Sequence, residues 1–458
     1  MTARSSRKPL MQNISPRECR EDEVCISIMS TATQDIFIDQ RAEPSKSAVS
    51  TLTEEITASL DEPPQTQGII SALDAVKPQL FGGNEVDRLQ VRAAARRLLA
   101  RVETPYERAW GFCFEHPVVF AALQTCIDLG LWKSWTGAGG GEKSIDELVQ
   151  LTSPTIETNL LRRFFRLLAA FYVVEETAED KFKPTPFSYA IGDESTKVRA
   201  SLQAASYQYL AAGQNLPGYL AKTSYKEPTD FMSNNYTDTD TDNLDFFGRL
   251  QQSPTHYEAF TGHMEAWTAW KTPWTKVYDT SRLLDGATLD NGSPFVVDVG
   301  GNTGIDISHV LAKHPELPAG ALILQDLPEI IAKAQVDDKI TAMVHDFWLP
   351  QPAKGSRAYF MHAVLHDWPD DKAKQLLANT RDAMVKGYSK LLVYDIVLPP
   401  TGASISQTTM DVEMMSLLSA AERTQGTWQK LLTEAGFNIV NFWPDPQQYE
   451  MIIEAEVA

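Results

Sequence analysis

The chain has 458 residues, 43% hydrophobic and 22% charged, enough apolar side chains to bury large cores in two or three domains. Collagen-like, disulfide-stapled and wholly disordered architectures are excluded. With 41 Lys and Arg against 60 Asp and Glu, the formal charge of −19 repels a phosphate backbone, so no nucleic-acid partner is expected. Cys19, Cys25, Cys113 and Cys126 form no CxxC pair, which argues against a cysteine zinc site and for reduced thiols. There is no run of about 18 apolar residues, and the basic segment Met1–Leu10 lacks an apolar stretch behind it. A cytoplasmic protein without a membrane partner is the expectation.

Residues 1–70 contain one aromatic, Phe37, among many Ser, Thr, Glu, Asp and Gln. Such a stretch cannot offset its ordering entropy and reads as a disordered tail, although Val24–Met29 could pair as a strand. A second region, 85–200, is helical. Leu89, Val91, Ala94, Leu98 and Leu99 recur at helical steps, as do Val118, Phe120, Ala121, Leu123 and Ile127. After the glycine-rich break Thr136–Glu142, Ser144 and Glu147 form a capping-box signature. Thr155 then opens a helix with Leu160, Leu161, Phe164, Phe165, Leu168 and Phe171 on its buried side. Tyr172–Ile191 reads as strand, acidic turn and strand.

Helix, helix, ribbon is the winged-helix order. Arg162, Arg163 and Arg166 on the second helix raise a DNA-binding reading, but the acidic wing turn Glu175–Asp180 favours packing or dimerisation.

A helical, aromatic connector, 201–285, follows. Within it, Ala259–Trp270 can form the apolar wall of a flat substrate's pocket, with Phe260 and Met264 as candidate substrate contacts.

Residues 286–458 alternate short apolar runs with helices. The strands are Phe295–Val299, Ala321–Gln325, Thr341–His345, Ala358–Leu365 and Lys390–Asp395; helices fall near Ile305–Lys313 and Asp371–Met384. This predicts an α/β, Rossmann-like doubly wound domain with a mostly parallel sheet. It closes with an antiparallel hairpin from Asn438–Trp443 and Tyr449–Ala455.

Where the first of these strands meets its helix stands VVDVGGNTG, with Asp298, Gly300, Gly301, Asn302 and Gly304. The glycines allow close backbone approach at a helix N-terminus. The third glycine comes one residue earlier than in the dinucleotide GxGxxG motif, and Asn302 fills the middle place, which tolerates positive φ. Asp298 suits an ammonium or a brace for the turn better than a pyrophosphate. Asp326, about 20 residues on at the second strand's tip, suits ribose hydroxyls. Asp346 and Phe347 end the third strand, where a carboxylate meets an exocyclic amine and a ring stacks on a purine. Taken in order, these residues describe an adenosine site.

His366, in HDWPDD after the fourth strand, can take a phenolic proton if a carboxylate holds its other ring nitrogen. Asp395 and Glu422 are both candidates. The alternative is that His366 caps the following helix.

VDVGGNTG, QDLPEII, HDFW, YFMHAVLHDWPDD, LLVYDIVLP, DVEMMSLLSAAERT and LLTEAGF together resemble the small-molecule O-methyltransferases of the plant caffeate and flavonoid type and of fungal polyketide pathways, over residues 90–458. The resemblance implies S-adenosylmethionine as cofactor, with Gly300, Gly301 and Gly304 around its methionine part. It further implies Asp326 on the ribose, Asp346 and Phe347 on the adenine, His366 as general base, and Asp395 and Glu422 flanking it. Met414 is implied in the acceptor pocket, and a homodimer through the N-terminal helices. His362 stands where relatives often carry Lys or Arg, making the positive charge near the cofactor missing or pH-dependent; Asp395 replaces a common Glu and is one methylene shorter. The implied acceptor is a small hydroxyl-bearing aromatic. The rivals are a methyltransferase-like cyclase that keeps the cofactor without methylating, and a winged-helix regulator or scaffold.

Overall fold

The computed structural model describes residues 66–239, 242, 244–289 and 294–458. The expected tail and the strand at Val24–Met29 lie outside these, except that residues 66–70 belong to a helix, Thr66–Asp74, and not to a tail. Helix Glu85–Val102 starts where the Asn84 side chain accepts the Asp87 N–H, and Pro105–Trp110 starts at a Thr104/Glu107 capping box. The chain continues through a π-helical turn, Gly111–Glu115, into His116–Asp128. These helices leave Leu99, Val102, Tyr106, Trp110, Phe112 and Phe114 exposed.

A first core begins at Ala122. Trp132, Trp135, Ile145, Leu148, Leu161, Phe165 and Phe182 pack together in it. The capping box predicted at Ser144 and Glu147 opens helix Ile145–Val149. The next helix starts at Thr158, three residues later than expected, because the Glu157 side chain accepts the Asn159 and Leu160 N–H groups. It runs to Ala170 and buries Leu161, Phe165 and Leu168, while Leu160 faces solvent. Strands β1 (Lys143–Ser144), β2 (Val174–Ala178) and β3 (Lys181–Pro184) form an antiparallel sheet in the order β1-β3-β2. The expected second ribbon strand therefore stops short of Ile191. Thr185 caps Ser188 and Pro186 sits in the first turn, so Pro186–Gly192 is a helix. Arg162 forms an ion pair with Asp180 of the acidic turn at 2.8 Å.

The second architecture is a seven-stranded sheet. Its strands are β4 (Val296–Val299), β5 (Leu322–Asp326), β6 (Ile340–Val344), β7 (Ala358–His362), β8 (Lys390–Asp395), β11 (Phe437–Pro444) and β12 (Met451–Val457). Between β8 and β11 the chain adds a small parallel pair, β9 (Val397–Leu398) with β10 (Arg423–Thr424). The sheet order is β11-β12-β8-β7-β4-β5-β6. The β4 to β8 pairings are parallel, while β12 runs antiparallel to β8 and β11 to β12.

Helices cover both faces, which is why the inner strands are apolar along their whole length. Tyr359, Met361, Leu391 and Val393 meet Leu376, Trp428 and Leu431 on one side. On the other, Val296, Leu324, Phe360 and Leu392 meet Trp274, Ile307 and Val310. Successive connections leave β4 in opposite directions, so a crevice opens at the carboxyl ends of β4 and its neighbours. Helix Pro254–Ala269 forms part of the opposite wall of that crevice.

Candidate active site

A cavity of about 980 Å³ occupies this crevice. It brings together Gly300, Gly301, Asp326, Asp346, Phe347 and His362 from the sheet side, and Phe260 and Met264 from helix Pro254–Ala269. Asp298, Gly304, His366, Asp395, Glu422 and Met414 do not line it. Met414 is buried behind the acceptor-side wall with Ala212, Tyr236 and Phe246.

The glycine turn has the conformation its sequence demands. Gly300, Asn302 and Gly304 have φ of 73°, 51° and 93°, in the left-handed region that glycine and Asn tolerate. A Cβ added to Gly301 would lie 2.5 Å from the Asp298 carboxylate and 2.6 Å from Leu324. Asp326 accepts the Asn302 N–H at 2.8 Å and the Leu327 N–H at 2.7 Å, so its carboxylate is fixed at the β5 tip. Burial pushes its pKa up to about 6, against the pull of those two donors. Asp298 is buried and neither of its carboxylate oxygens has a hydrogen-bond partner among the described residues. Burial first, then Asp306, raise its pKa well above the carboxylate range. His345, next to Asp346, lines the cavity and has an unpartnered buried Nε2.

His366 sits in a 3-10 turn, Leu365–Asp367, directly after β7. It does not cap helix Asp370–Arg381. Its Nδ1 lies 2.8 Å from Glu422 Oε1 and 3.7 Å from Asp395 Oδ1. The first is a hydrogen bond and the second is too long for one, as the shorter Asp side chain predicts. Glu422 comes within reach because β10 pairs with β9, which directly follows the strand ending in Asp395. Arg423 secures the turn itself. Its guanidinium donates to the Leu365 and Trp368 carbonyls at 2.9 and 2.8 Å and pairs with Asp370 at 2.9 Å.

His366 Nε2 faces Asp367 Oδ1 at 3.5 Å, and Asp367 does line the cavity. Burial alone would lower the imidazole's pKa, but Glu422, Asp395 and Asp367 outweigh it and raise it to about 10. Burial lifts Asp367 to about 6 and Asp395 to about 7, with His366 opposing both.

Sequence reasoning overlooked a buried ion network at the other end of the cavity. His362 Nδ1 is 2.6 Å from Asp306 Oδ2, and its Nε2 is 3.4 Å from both Glu450 Oε2 and Lys271 Nζ. Lys271 also forms an ion pair with Glu450. Burial would lower the His362 pKa, yet Asp306 and Glu450 carry it up to about 9. Burial would raise Asp306, but His362 and His309 hold it well below the usual range. Asp306 was legible in principle as an acidic residue in the first turn of the helix after the glycine loop. Lys271 and Glu450 lie 91 and 88 residues from His362 in sequence and carry no local signal.

A crevice lined by a glycine turn, acidic strand tips and an aromatic ring, with an imidazole–carboxylate cluster beside it, has the chemistry of a nucleotide-cofactor enzyme site. The comparisons narrow this to one family. Residues 274–438 match a family model described as an O-methyltransferase domain. The chain is 44% identical over 389 residues to O-methyltransferase ATR12 of Stachybotrys chlorohalonatus, covering 85% of this chain and 98% of that one. It is 35% identical to O-methyltransferase mfmE of Annulohypoxylon moriforme, over 86% and 96%. Among solved structures, LepI in complex with SAM superposes with a TM-score of 0.76 at 24% identity, over 89% of this chain and 100% of that one. OxaC in complex with sinefungin and meleagrin gives 0.73 at 24%, over 90% and 99%. The chain belongs to the S-adenosylmethionine-dependent O-methyltransferase family. No described helix is long and apolar enough to cross a membrane.

Proposed function

We propose that this protein, a cytoplasmic homodimer, transfers a methyl group to a phenolic hydroxyl of a small aromatic acceptor, with His366 as general base. The observation carrying the base assignment is that Glu422 holds His366 Nδ1 at 2.8 Å, leaving Nε2 to face the cavity-lining Asp367.

The cofactor end fits S-adenosylmethionine on three counts. Gly300 and Gly301 line the cavity with backbone that an amino-acid chain can approach closely. Asp326 stands at the strand tip for ribose hydroxyls. Asp346 and His345 are available to the adenine edge, with Phe347 as a stacking face. When bound, the sulfonium supplies an electrophilic methyl group.

The protein's own work is placement and proton removal. Phe260, Met264 and Trp267 from one wall, with Phe231, Phe247 and Trp368 from the other, form an apolar slot that orients a flat ring. Alignment of this kind is worth roughly 7–11 kcal/mol. His366 Nε2 takes the hydroxyl proton by way of the cavity-lining Asp367, and Glu422 fixes the ring and stabilises the imidazolium. Three carboxylates hold the resting imidazole protonated to about pH 10. The base is the form that has lost this proton, and a cationic ligand in the same cavity lowers its pKa by like-charge repulsion.

The exposed Trp110, Phe112, Phe114, Leu99 and Val102 suit burial against a second copy. This supports residues 85–200 as a winged-helix dimerisation unit, 201–285 as a connector and 286–458 as the catalytic domain.

Replacing His366 by Ala should cut methyl transfer by roughly 10²–10⁴-fold while leaving S-adenosylhomocysteine affinity within about twofold. Unchanged turnover would sink the base assignment. A solved neighbour described as a pericyclic reaction enzyme shares the fold, with a TM-score of 0.75. A panel of phenols read by mass spectrometry separates the two chemistries, since only methyl transfer adds a methyl to the product.

A further inference from the structure

Four charged side chains from four different elements meet beneath the methionine end of the cavity, and the proton chemistry above uses none of them. Asp306 comes from the first turn after the glycine loop and His362 from the end of β7. Glu450 immediately precedes β12, and Lys271 follows the wall helix Pro254–Ala269. His362 and Asp306 line the cavity, whereas Lys271 and Glu450 stand behind them, their side chains only 7% and 1% exposed. The Lys271 ammonium also lies 4.0 Å over the Trp267 ring and 5.4 Å from that of Tyr449. Such burial is costly for an ammonium, and one carboxylate partner would suffice to hold it. Its place 3.4 Å from His362 Nε2 sets a second positive charge beside the imidazole, with Asp306 and Glu450 as their counter-charges. Asp306 and Asp326 make the neighbouring lining acidic.

We propose that Lys271 and Glu450 are positioning residues for the carboxylate of the cofactor's amino-acid end. Lys271 supplies a positive charge behind His362, and Glu450 holds that ammonium in place and opposes the burial that lowers its pKa. An imidazole at position 362 is a cation only while protonated. Paired with a lysine from another element, it forms a site whose charge does not depend on its own proton. The assignment rests on the cofactor end described above, but not on methyl transfer.

The test compares S-adenosylhomocysteine with 5′-methylthioadenosine, which lacks the amino-acid end, by isothermal titration calorimetry. Removing the pair together, K271M/E450Q, avoids stranding one buried charge. This variant should bind S-adenosylhomocysteine roughly tenfold or more weakly, the scale of one lost charge-assisted contact, with 5′-methylthioadenosine within about twofold. Adding H362K, which returns a fixed cation to the same spot, should restore the first affinity. Equal weakening of both ligands, no weakening of either, or failure of H362K to restore binding would overturn the proposal.

H362Q provides a second route if the paired variant does not fold. With Lys271 in place it should keep the preference for S-adenosylhomocysteine within about fivefold, and loss of that preference would assign the charge to His362 alone. Failure of the wild-type protein to bind 5′-methylthioadenosine would instead refute the cofactor-end assignment itself. Absent methyl transfer with these affinities intact would refute only the proposed reaction.

Discussion

Glu422→Gln removes one negative charge from His366 with little change of shape. At an effective dielectric of about 20, a unit charge about 4 Å away is worth about 4 kcal/mol, or about three pH units at 1.36 kcal/mol each. Part of this is regained because the amide oxygen can still accept the Nδ1 proton. The acid limb of kcat/KM, the rise in rate as His366 loses its proton, should therefore move down by about two units from the wild-type position. The direction follows from the wild-type site, where the carboxylates raise this pKa to about 10. The maximal rate should fall as well, since a weaker base drives proton transfer less.

Stability gives an independent reading of the same change. A group whose pKa is raised on folding, from the ordinary 6.5 to about 10, stabilises the fold fully below pH 6.5, and loses that contribution as pH climbs through 10. The gap in Tm between wild type and Glu422→Gln should thus be widest near pH 6 and shrink toward pH 10. The assays are kcat/KM from pH 6 to 10.5 and thermal unfolding at both ends. An acid limb that stays put or moves upward, or a Tm gap that widens with pH, would refute the electrostatic account of His366.

Arg423→Met should strip two carbonyls of the His366 turn of their donor, costing about 1–3 kcal/mol for each buried group left unpaired. Denaturant unfolding reads this loss, and methyl transfer should fall more than S-adenosylhomocysteine affinity. Gly301→Ala pushes a methyl into Asp298 and Leu324, so it should lose about 1–3 kcal/mol of stability and weaken S-adenosylhomocysteine binding measured by calorimetry. The double change Phe112→Glu with Phe114→Glu places charges on the exposed N-terminal aromatics, and sedimentation should show a shift from dimer to monomer with the monomer still folded.

Much of the sheet was legible because its strands are short, apolar and punctuated. Lys390–Asp395 and helix Ile305–Lys313 have the predicted bounds, and the other core strands differ by a few residues at most. The apolar run Ala358–Leu365 is longer than the strand it forms, Ala358–His362. Ala363 turns to φ 52°, ending the strand at His362 and aiming the following turn. The ribbon misreading at Phe187–Ile191 has a local cause, since an apolar run alone does not distinguish a strand from a short capped helix. Helix Glu85–Val102 had the right periodicity, yet it buries almost none of its apolar side chains within the described chain.

The sequence alone determined the sheet, the glycine turn and the residue types at both ends of the crevice, because these depend on local periodicity and on chemistry at strand ends. It left Asp395 and Glu422 open as partners of His366. Tertiary structure decided between them, since the β9–β10 pairing sets the two Nδ1 distances at 2.8 and 3.7 Å. It also moved His366 and Met414 behind the cavity wall and brought Asp367 and His345 onto it. Arg423, Lys271 and Glu450 became visible only there, because a buried charge owes its place to partners distant in the chain. No spacing rule records a desolvation cost that is met by a residue some 90 or 180 positions away.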